Sequence, residues 1–248
     1  MIGIGTCGYY YREWVGCFYP PGTPKSRWLE FYASRFNALE VNSTFYRPPS
    51  EGTVEKLKKS GLAVSLKLYR GITHEGVLSK ENVEPFVEGA KLLGNQLKAL
   101  LAQFPPDFKP APGSKGLLQL LKERFGELLA VELRAPEWEE ELPFLRELEV
   151  AAVFNFFPKS LRWPRVGTAT KELAYFRLHG PKRLYTGSYS QEELREVALK
   201  VKKLPSEVKL VFFNNTRDCS APKDAQRLKE LLSHNGGNQE EQKGNDGN

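Results

Sequence analysis

Ala38-Leu39-Glu40-Val41-Asn42 is a short apolar run, Glu51–Ser60 follows it as a helical pattern, and Val64-Ser65-Leu66-Lys67-Leu68 is a second apolar run. Strand, helix and strand within roughly 30 residues is the spacing of a parallel βαβ unit. The unit recurs along the whole chain. Strands are predicted at 2–6, 38–42, 64–68, 98–104, 128–134, 150–155, 174–179 and 208–214, and helices at 25–36, 51–60, 82–93, 116–125, 137–147, 191–204 and 221–232. The connection after the sixth strand, 156–171, shows no helical pattern. Eight such alternations predict an α/β chain folded as a single (β/α)8 TIM barrel over residues 1–232. The alternative is an open doubly wound sheet. Gly3-x-Gly5-x-x-Gly8 does follow a strand, but Tyr9–Trp14 after it is aromatic and opens no helix, so the dinucleotide fingerprint is not made.

Composition agrees with one large folded domain. The chain has 248 residues, 40% hydrophobic and 12% aromatic, enough to build a core and too apolar for an intrinsically disordered protein. No run approaches the length of a membrane span, so no membrane partner is expected. The N-terminus lacks a basic stretch and a small-residue cleavage site, so no signal peptide is read. Cys7, Cys17 and Cys219 form no Cys-x-x-Cys and cannot all pair, which makes a reducing cytoplasm the expected compartment. Residues 233–248 are almost wholly polar and are expected to be a disordered tail. In that tail Glu240, Glu241 and Asp246 outweigh Lys243 to give −2, so of the net +6 the first 232 residues carry +8. A basic balance favours anionic partners: a small anionic ligand first, nucleic acid second. The same charge also reads as ordinary solvated helix faces.

The ends of the strands carry the most information. Alternate residues of a barrel strand point inward. That rule turns Glu40, Asn42, Lys67, Gln103, Glu132, Arg134, Tyr175, Arg177 and His179 to the interior, with Asn155 and Asn214 closing their runs. An unpaired buried polar group costs roughly 1–3 kcal/mol, and a charge costs more. These side chains must therefore pair with each other or meet a ligand, and they fall at the strand ends where barrel active sites lie. An internal salt-bridge network is one reading, but Lys67, Arg134 and Arg177 outnumber Glu40 and Glu132 by one charge. An anion completing the site is the other. On that reading Glu132, His179, Lys67 and Glu40 are the candidate catalytic groups, with Arg134 and Arg177 holding the anion.

Around this ring, Tyr46, Arg47, His74, Gly180 and Asn215 are further candidate binding residues. His179-Gly180 and Asn214-Asn215 follow the seventh and eighth strands, where barrels often bind phosphate through backbone N–H groups. Phe104-Pro105-Pro106 reads as a rigid turn. Tyr9, Tyr10, Tyr11 and Trp14 form an aromatic first loop that suits either packing or a stacking platform. No cofactor motif is present. Glu40, Glu132, His74 and His179 could supply a mononuclear metal site, but no metal is favoured.

The ordered set Gly5-Thr6-Cys7-Gly8-Tyr9, Trp14-x-Gly16-x-Phe18-Tyr19-Pro20, Glu40-Val41-Asn42-Ser43-Thr44-Phe45-Tyr46-Arg47-x-Pro49, Ile72-Thr73-His74, Gln103-Phe104-Pro105-Pro106, Val131-Glu132-x-Arg134-x-x-x-Trp138, Arg177-Leu178-His179-Gly180 and Phe213-Asn214-Asn215 resembles the YecE-like family, domain of unknown function 72. The resemblance spans residues 1 to about 232 and implies a TIM-barrel fold like that of sugar isomerases and metal-dependent endonucleases. It implies no reaction. Cys7-Gly8-Tyr9 stands where the family usually has Ser-Gly-Trp. Asn155 and Thr216 stand where acids are common, which leaves fewer metal ligands. Three classes of function follow: a hydrolase or isomerase acting on a phosphorylated or nucleotide-like small molecule, a nucleic-acid-binding or endonuclease-like protein, and a non-catalytic ligand-binding barrel. The oligomeric state is open.

Overall fold

The structure, a computed structural model, describes residues 1–234. Its strands are β1 (Ile2–Thr6), β2 (Ala38–Val41), β3 (Ala63–Lys67), β4 (Leu97–Gln103), β5 (Leu129–Glu132), β6 (Ala151–Ala152), β7 (Phe154–Phe156), β8 (Leu173–Leu178) and β9 (Val208–Phe213). The helices are α1 (Trp28–Ala33), α2 (Glu51–Ser60), α3 (Arg70–Thr73), α4 (Lys80–Leu93), α5 (Pro112–Phe125), α6 (Leu142–Glu147), α7 (Gln191–Lys203) and α8 (Ser220–His234). The last helix runs two residues beyond its expected end. The rest of the expected tail, 235–248, lies outside the described residues. No helix among the described residues is long and apolar enough to cross a membrane.

All strand pairs in the ladders are parallel, and the helices alternate with them, so the α/β barrel-like arrangement expected from the repeat is present. The expectation of a fully closed cylinder needs correction. The ladder runs as two sheets, β1-β9-β8-β7 and β2-β3-β4-β5-β6. On one side the sheets share a chain run, because β6 and β7 are halves of the predicted sixth strand interrupted at Val153. On the other side no ladder joins β1 to β2 among the described residues, and a single bridge links Cys7, just past β1, to Glu40.

Side chains replace the missing ladder at that second seam. Asn37 accepts from Ile4 N and donates to Ile2 O, both at 2.9 Å. The Tyr32 hydroxyl accepts from Thr6 N at 2.8 Å and donates to Ala38 O at 3.0 Å. The open strand edge thereby satisfies its backbone groups without a direct partner. Gly5 permits the close approach: a Cβ there would stand 1.9 Å from the Ala38 carbonyl oxygen.

Two apolar layers follow from the alternation. Leu39, Val64, Leu66, Leu100, Val131, Phe176, Leu178, Val211 and Phe213 face the helices. Ala38, Ala63, Ala99, Leu101, Ala130, Ala151, Tyr175, Leu210 and Phe212 fill the interior. The alanines leave room for the Tyr175 and Phe212 rings, which pack with centroids 5.4 Å apart. Several helix starts are written locally. Ser50 and Ser79 cap α2 and α4, and Ser190 with Glu193 makes a capping box on α7.

The connection 157–172 contains no helix, as its sequence suggests. Two of the three cysteines pair: Cys17 and Cys219 form a disulfide with Cα atoms 6.4 Å apart. That pairing removes the cysteine count as support for a reducing compartment.

Candidate functional site

The polar residues at the strand ends converge on one mouth around a single buried guanidinium. Arg177, at the end of β8, is 1% exposed. Its Nε and Nη2 donate to Glu40 Oε2 and Oε1 at 3.0 and 2.7 Å, and its Nη1 donates to Glu132 Oε2. Cys7 Sγ lies 3.6 Å from Nη2. Glu40 is also held from below, where the Tyr175 hydroxyl donates to Oε2 at 2.7 Å and meets Ser65 Oγ at 2.8 Å. Burial raises the Tyr175 phenol and the Cys7 thiol well above their usual values, so both stay protonated.

Glu132 completes the same network. Arg134 Nε donates to its Oε1 at 2.7 Å. Burial pushes the Glu132 carboxyl up, but the charges of Arg177 and Arg134 outweigh it and hold the group well below the usual carboxylate range. Glu132 therefore stays ionised and its oxygens are occupied. The expected general acid or base role does not suit it. Both oxygens of Glu40 are likewise taken, by Arg177 and Tyr175. Arg177 faces the carboxylates instead of the mouth, so the expected anion-holding role does not suit it either.

His179 is fully buried above this network. Its Nε2 is 3.1 Å from Asn155 Oδ1 and 3.5 Å from Glu132 Oε2, and its Nδ1 faces Asn214 Nδ2 at 3.0 Å. An amide donor on Nδ1 and carbonyl and carboxylate acceptors at Nε2 select the neutral tautomer protonated at Nε2. Burial drives its pKa down to about 4. His179 thus positions Asn155 and Asn214, and its ring nitrogens are not free for the proton shuttle expected of it.

Lys67 differs from all of these. Its Nζ donates to Gln103 Oε1 at 2.7 Å and lies 4.1 Å from the Phe45 ring centroid, with no carboxylate in an ion pair to it among the described residues. Gln103 is turned by its own amide, which donates to Phe104 O at 2.9 Å. Burial, then the charge of Arg177, lowers the Lys67 pKa to about 8. Arg134 is the second cation with capacity to spare. Only its Nε is bonded among the described residues, and its guanidinium lies 4.2 Å over the Trp163 ring. With Arg177 paired to Glu40 and Arg134 to Glu132, the one surplus charge read from the sequence sits on Lys67.

The outer candidates are more scattered. His74 lies at the rim, with Nδ1 2.9 Å from Thr73 Oγ1 and its ring against Phe45. Burial and the Lys67 charge lower its pKa. Asn42, just past β2, has a buried Oδ1 with no hydrogen-bond partner among the described residues. Tyr46 is 75% exposed and Arg47 is exposed, and neither bonds to the ring.

The expected phosphate site at Gly180 and Asn215 is occupied by protein. Gly180 N donates to the Tyr189 hydroxyl at 2.8 Å. Asn215 Nδ2 donates to Gly187 O and Asp224 Oδ2 at 2.8 and 2.9 Å. The two acids of this corner, Asp218 and Asp224, take the donors an anion would need. The suggested metal set is not assembled, because both glutamates are committed to arginines and His74 lies apart at the rim. Among the described residues no group of three His, Cys, Asp or Glu side chains could hold a metal ion.

Phe45 and Trp163 are site residues that the strand-end reading missed. Phe45 lies in the Asn-Ser-Thr-Phe-Tyr-Arg block, one turn beyond β2. Trp163 comes from the irregular connection, where no periodicity pointed inward.

The match to the family described as "Protein of unknown function DUF72" covers residues 3–246. The chain belongs to the DUF72 family. This DUF72 protein is 31% identical to a DUF72 family protein of Thermotoga maritima, TM1631, whose crystal structure superposes with a TM-score of 0.83 over 94% of this chain and 99% of that one. It is 24% identical to the UPF0759 protein YunF of Bacillus subtilis over 94% of this chain and 95% of that protein. At 12% identity and a TM-score of 0.54 it is similar to 3-keto-D-glucoside 4-epimerase, YcjR, of E. coli, covering 94% of this chain and 98% of that one. The last likeness shows the barrel fold and no chemistry.

Proposed function

We propose that the chain is an enzyme acting on a phosphorylated or nucleotide-like small molecule at the mouth formed by the C-terminal strand ends. The observation that carries this reading is Lys67, a half-buried cation set between Phe45 and Gln103 with no carboxylate in an ion pair to it among the described residues. A group whose charge is disfavoured by burial and unbalanced by its neighbours is suited to two tasks: binding an anion, and exchanging a proton near neutral pH. Arg134 shares the first task through its two terminal nitrogens, and Trp163 fixes its plane. Lys67 alone takes the second. The carboxylates that would ordinarily act as bases are committed to Arg177. Proton transfer by Lys67 serves either isomerisation or hydrolysis.

The test is a panel of phosphate esters, sugar phosphates and nucleotides, read first by melting temperature. A member that binds should raise it saturably, and chloride at matched ionic strength should not. Phosphorus NMR then separates the reactions. Hydrolysis releases inorganic phosphate, and isomerisation moves the ester resonance without release. If no member stabilises the chain, the reading fails. Stabilisation with no spectral change would leave a non-catalytic ligand-binding barrel.

A further inference from the structure

A second basic feature lies outside the mouth. Between the first loop and the outer faces of α1 and α2 runs a groove of about 670 Å³. Its floor is apolar, with Leu29 and Ala33 of α1 lining it. At one end stands Tyr10, 54% exposed, held on edge by Tyr9 at 6.3 Å and packed against Trp28 at 4.9 Å. A large aromatic ring that is braced by two neighbours and still half exposed offers a rigid face at little entropy cost. Trp14 of the aromatic first loop is fully buried, as is Tyr19 beyond it, which stacks on Trp28.

Three lysines line the same groove. Lys25 Nζ lies over the Tyr10 ring, 5.7 Å from its centroid, on a flexible stem that a stacking base can displace. Lys56 and Lys59 stand three residues apart on α2, which places them on one helix face about 4.5 Å apart along the axis. None of the three forms an ion pair among the described residues. The groove's carboxylate, Glu30, is taken by Arg27 at 3.1 Å. A half-exposed aromatic ring in one groove with three lysines that form no ion pair among the described residues matches the physical pattern of single-strand nucleic-acid recognition, in which a base stacks and the backbone tracks positive charge.

We infer that this groove binds single-stranded nucleic acid, with a base stacked on Tyr10 and successive phosphates on Lys25, Lys56 and Lys59. The site is independent of the mouth and of the reaction proposed there. It reads stacking and charge, so it carries no preference for sequence.

Fluorescence anisotropy with a short labelled oligothymidylate, over a series of potassium chloride concentrations, tests the inference on the full chain. Neutralising three phosphates on a single strand predicts a slope near about −2 in log K against log salt. Tyr10→Ala should weaken binding about 5- to 150-fold, as losing one stacked base does, and Tyr10→Phe should restore it. Changing Lys25, Lys56 and Lys59 together to Gln should bring the slope toward zero. These side chains are exposed, so melting temperatures close to wild type will show that each variant folds. Lack of binding by the wild type, or unchanged affinity in both the Tyr10→Ala and the triple lysine variant, overturns the inference. So does a mononucleotide that competes as well as the oligonucleotide, since the groove would then be a nucleotide pocket.

Discussion

Arg177 grips Glu40 with two nitrogens of one fork, Nε at 3.0 Å and Nη2 at 2.7 Å, where neither side chain is more than 1% exposed. Charges this deep are tolerated because each nitrogen of the fork and each oxygen of Glu40 has a hydrogen-bond partner. Removing one partner leaves the other charged and dry. Glu40→Ala should lower the stability to urea by ~3–5 kcal/mol. The exposed pair Arg27 and Glu30, both more than half accessible, should behave differently, and Glu30→Ala should leave the midpoint unchanged. A wild-type midpoint for Glu40→Ala would show that water reaches Arg177 and that the network is open.

The second prediction concerns acid. His179 is neutral when folded, with its pKa down to about 4. In the unfolded chain it titrates near ~6.5. Between these values the unfolded state binds a proton that the native state refuses, so stability rises with pH across the interval. Acidification from pH 7 to 4 should cost about 3 kcal/mol through this one residue. Glu132, held well below the usual carboxylate range, continues the loss at lower pH, because its contribution is present above the unfolded carboxylate value and disappears as pH falls through the folded one. In His179→Gln the slope of stability against pH between about 6.5 and 4 should flatten. An unchanged slope would mean that the ring is charged in the native protein or open to solvent.

The barrel and the polar mouth were legible in the sequence because both rest on short periods. Alternation within a strand is enough to put Glu40, Lys67, Glu132 and Arg177 on one surface. The division of labour among them was not legible. Whether Glu132 is a base or a counter-ion depends on which nitrogens of Arg134 and Arg177 reach it, and that is set by strand register. Counting charges predicted a surplus of one. It could not show that Arg177 spends its fork on carboxylates and that Lys67 is left without one among the described residues. The open seam between β1 and β2 was equally hidden, since Asn37 and Tyr32 read as ordinary loop and helix residues. Trp163 lies in a segment with no period at all.

Gly180 carries a third prediction. Its φ is +108, and a Cβ there would stand 2.3 Å from Arg183 O and 2.7 Å from Thr186 O. The sequence suggested that this glycine exposes backbone N–H groups to a phosphate. Instead it lets the chain turn against its own carbonyls while its N–H meets Tyr189. Gly180→Ala should therefore destabilise the fold by more than about 3 kcal/mol, from backbone strain and clash together. It should do so equally with and without phosphate in the buffer. A loss that appears only as weakened phosphate stabilisation would restore the anion site at this corner.

The last prediction sets stability against binding at one side chain. Lys67 has its pKa lowered to about 8, first by burial and then by the charge of Arg177. A depressed lysine means that the folded state resists the proton that the unfolded chain accepts readily. Stability should accordingly rise as pH climbs from about 8 towards the unfolded lysine value near ~10.4, and the charged form is under strain at neutral pH. Lys67→Met keeps the length and the apolar stem against Phe45 and removes that strain. The variant should melt higher than wild type at pH 7, the opposite of what losing a useful salt bridge would do. At the same time a phosphate ester that stabilises the wild type should lose its effect on the variant, because the uncompensated cation that would attract it is gone. A residue that costs stability when free and returns it when a ligand binds is the thermodynamic mark of a functional site. Thermal melts of both proteins, with and without the ester and over a pH series, read all of this directly. A Lys67→Met protein that melts lower than wild type and still responds to the ester would make Lys67 a structural residue and move the anion contact to Arg134.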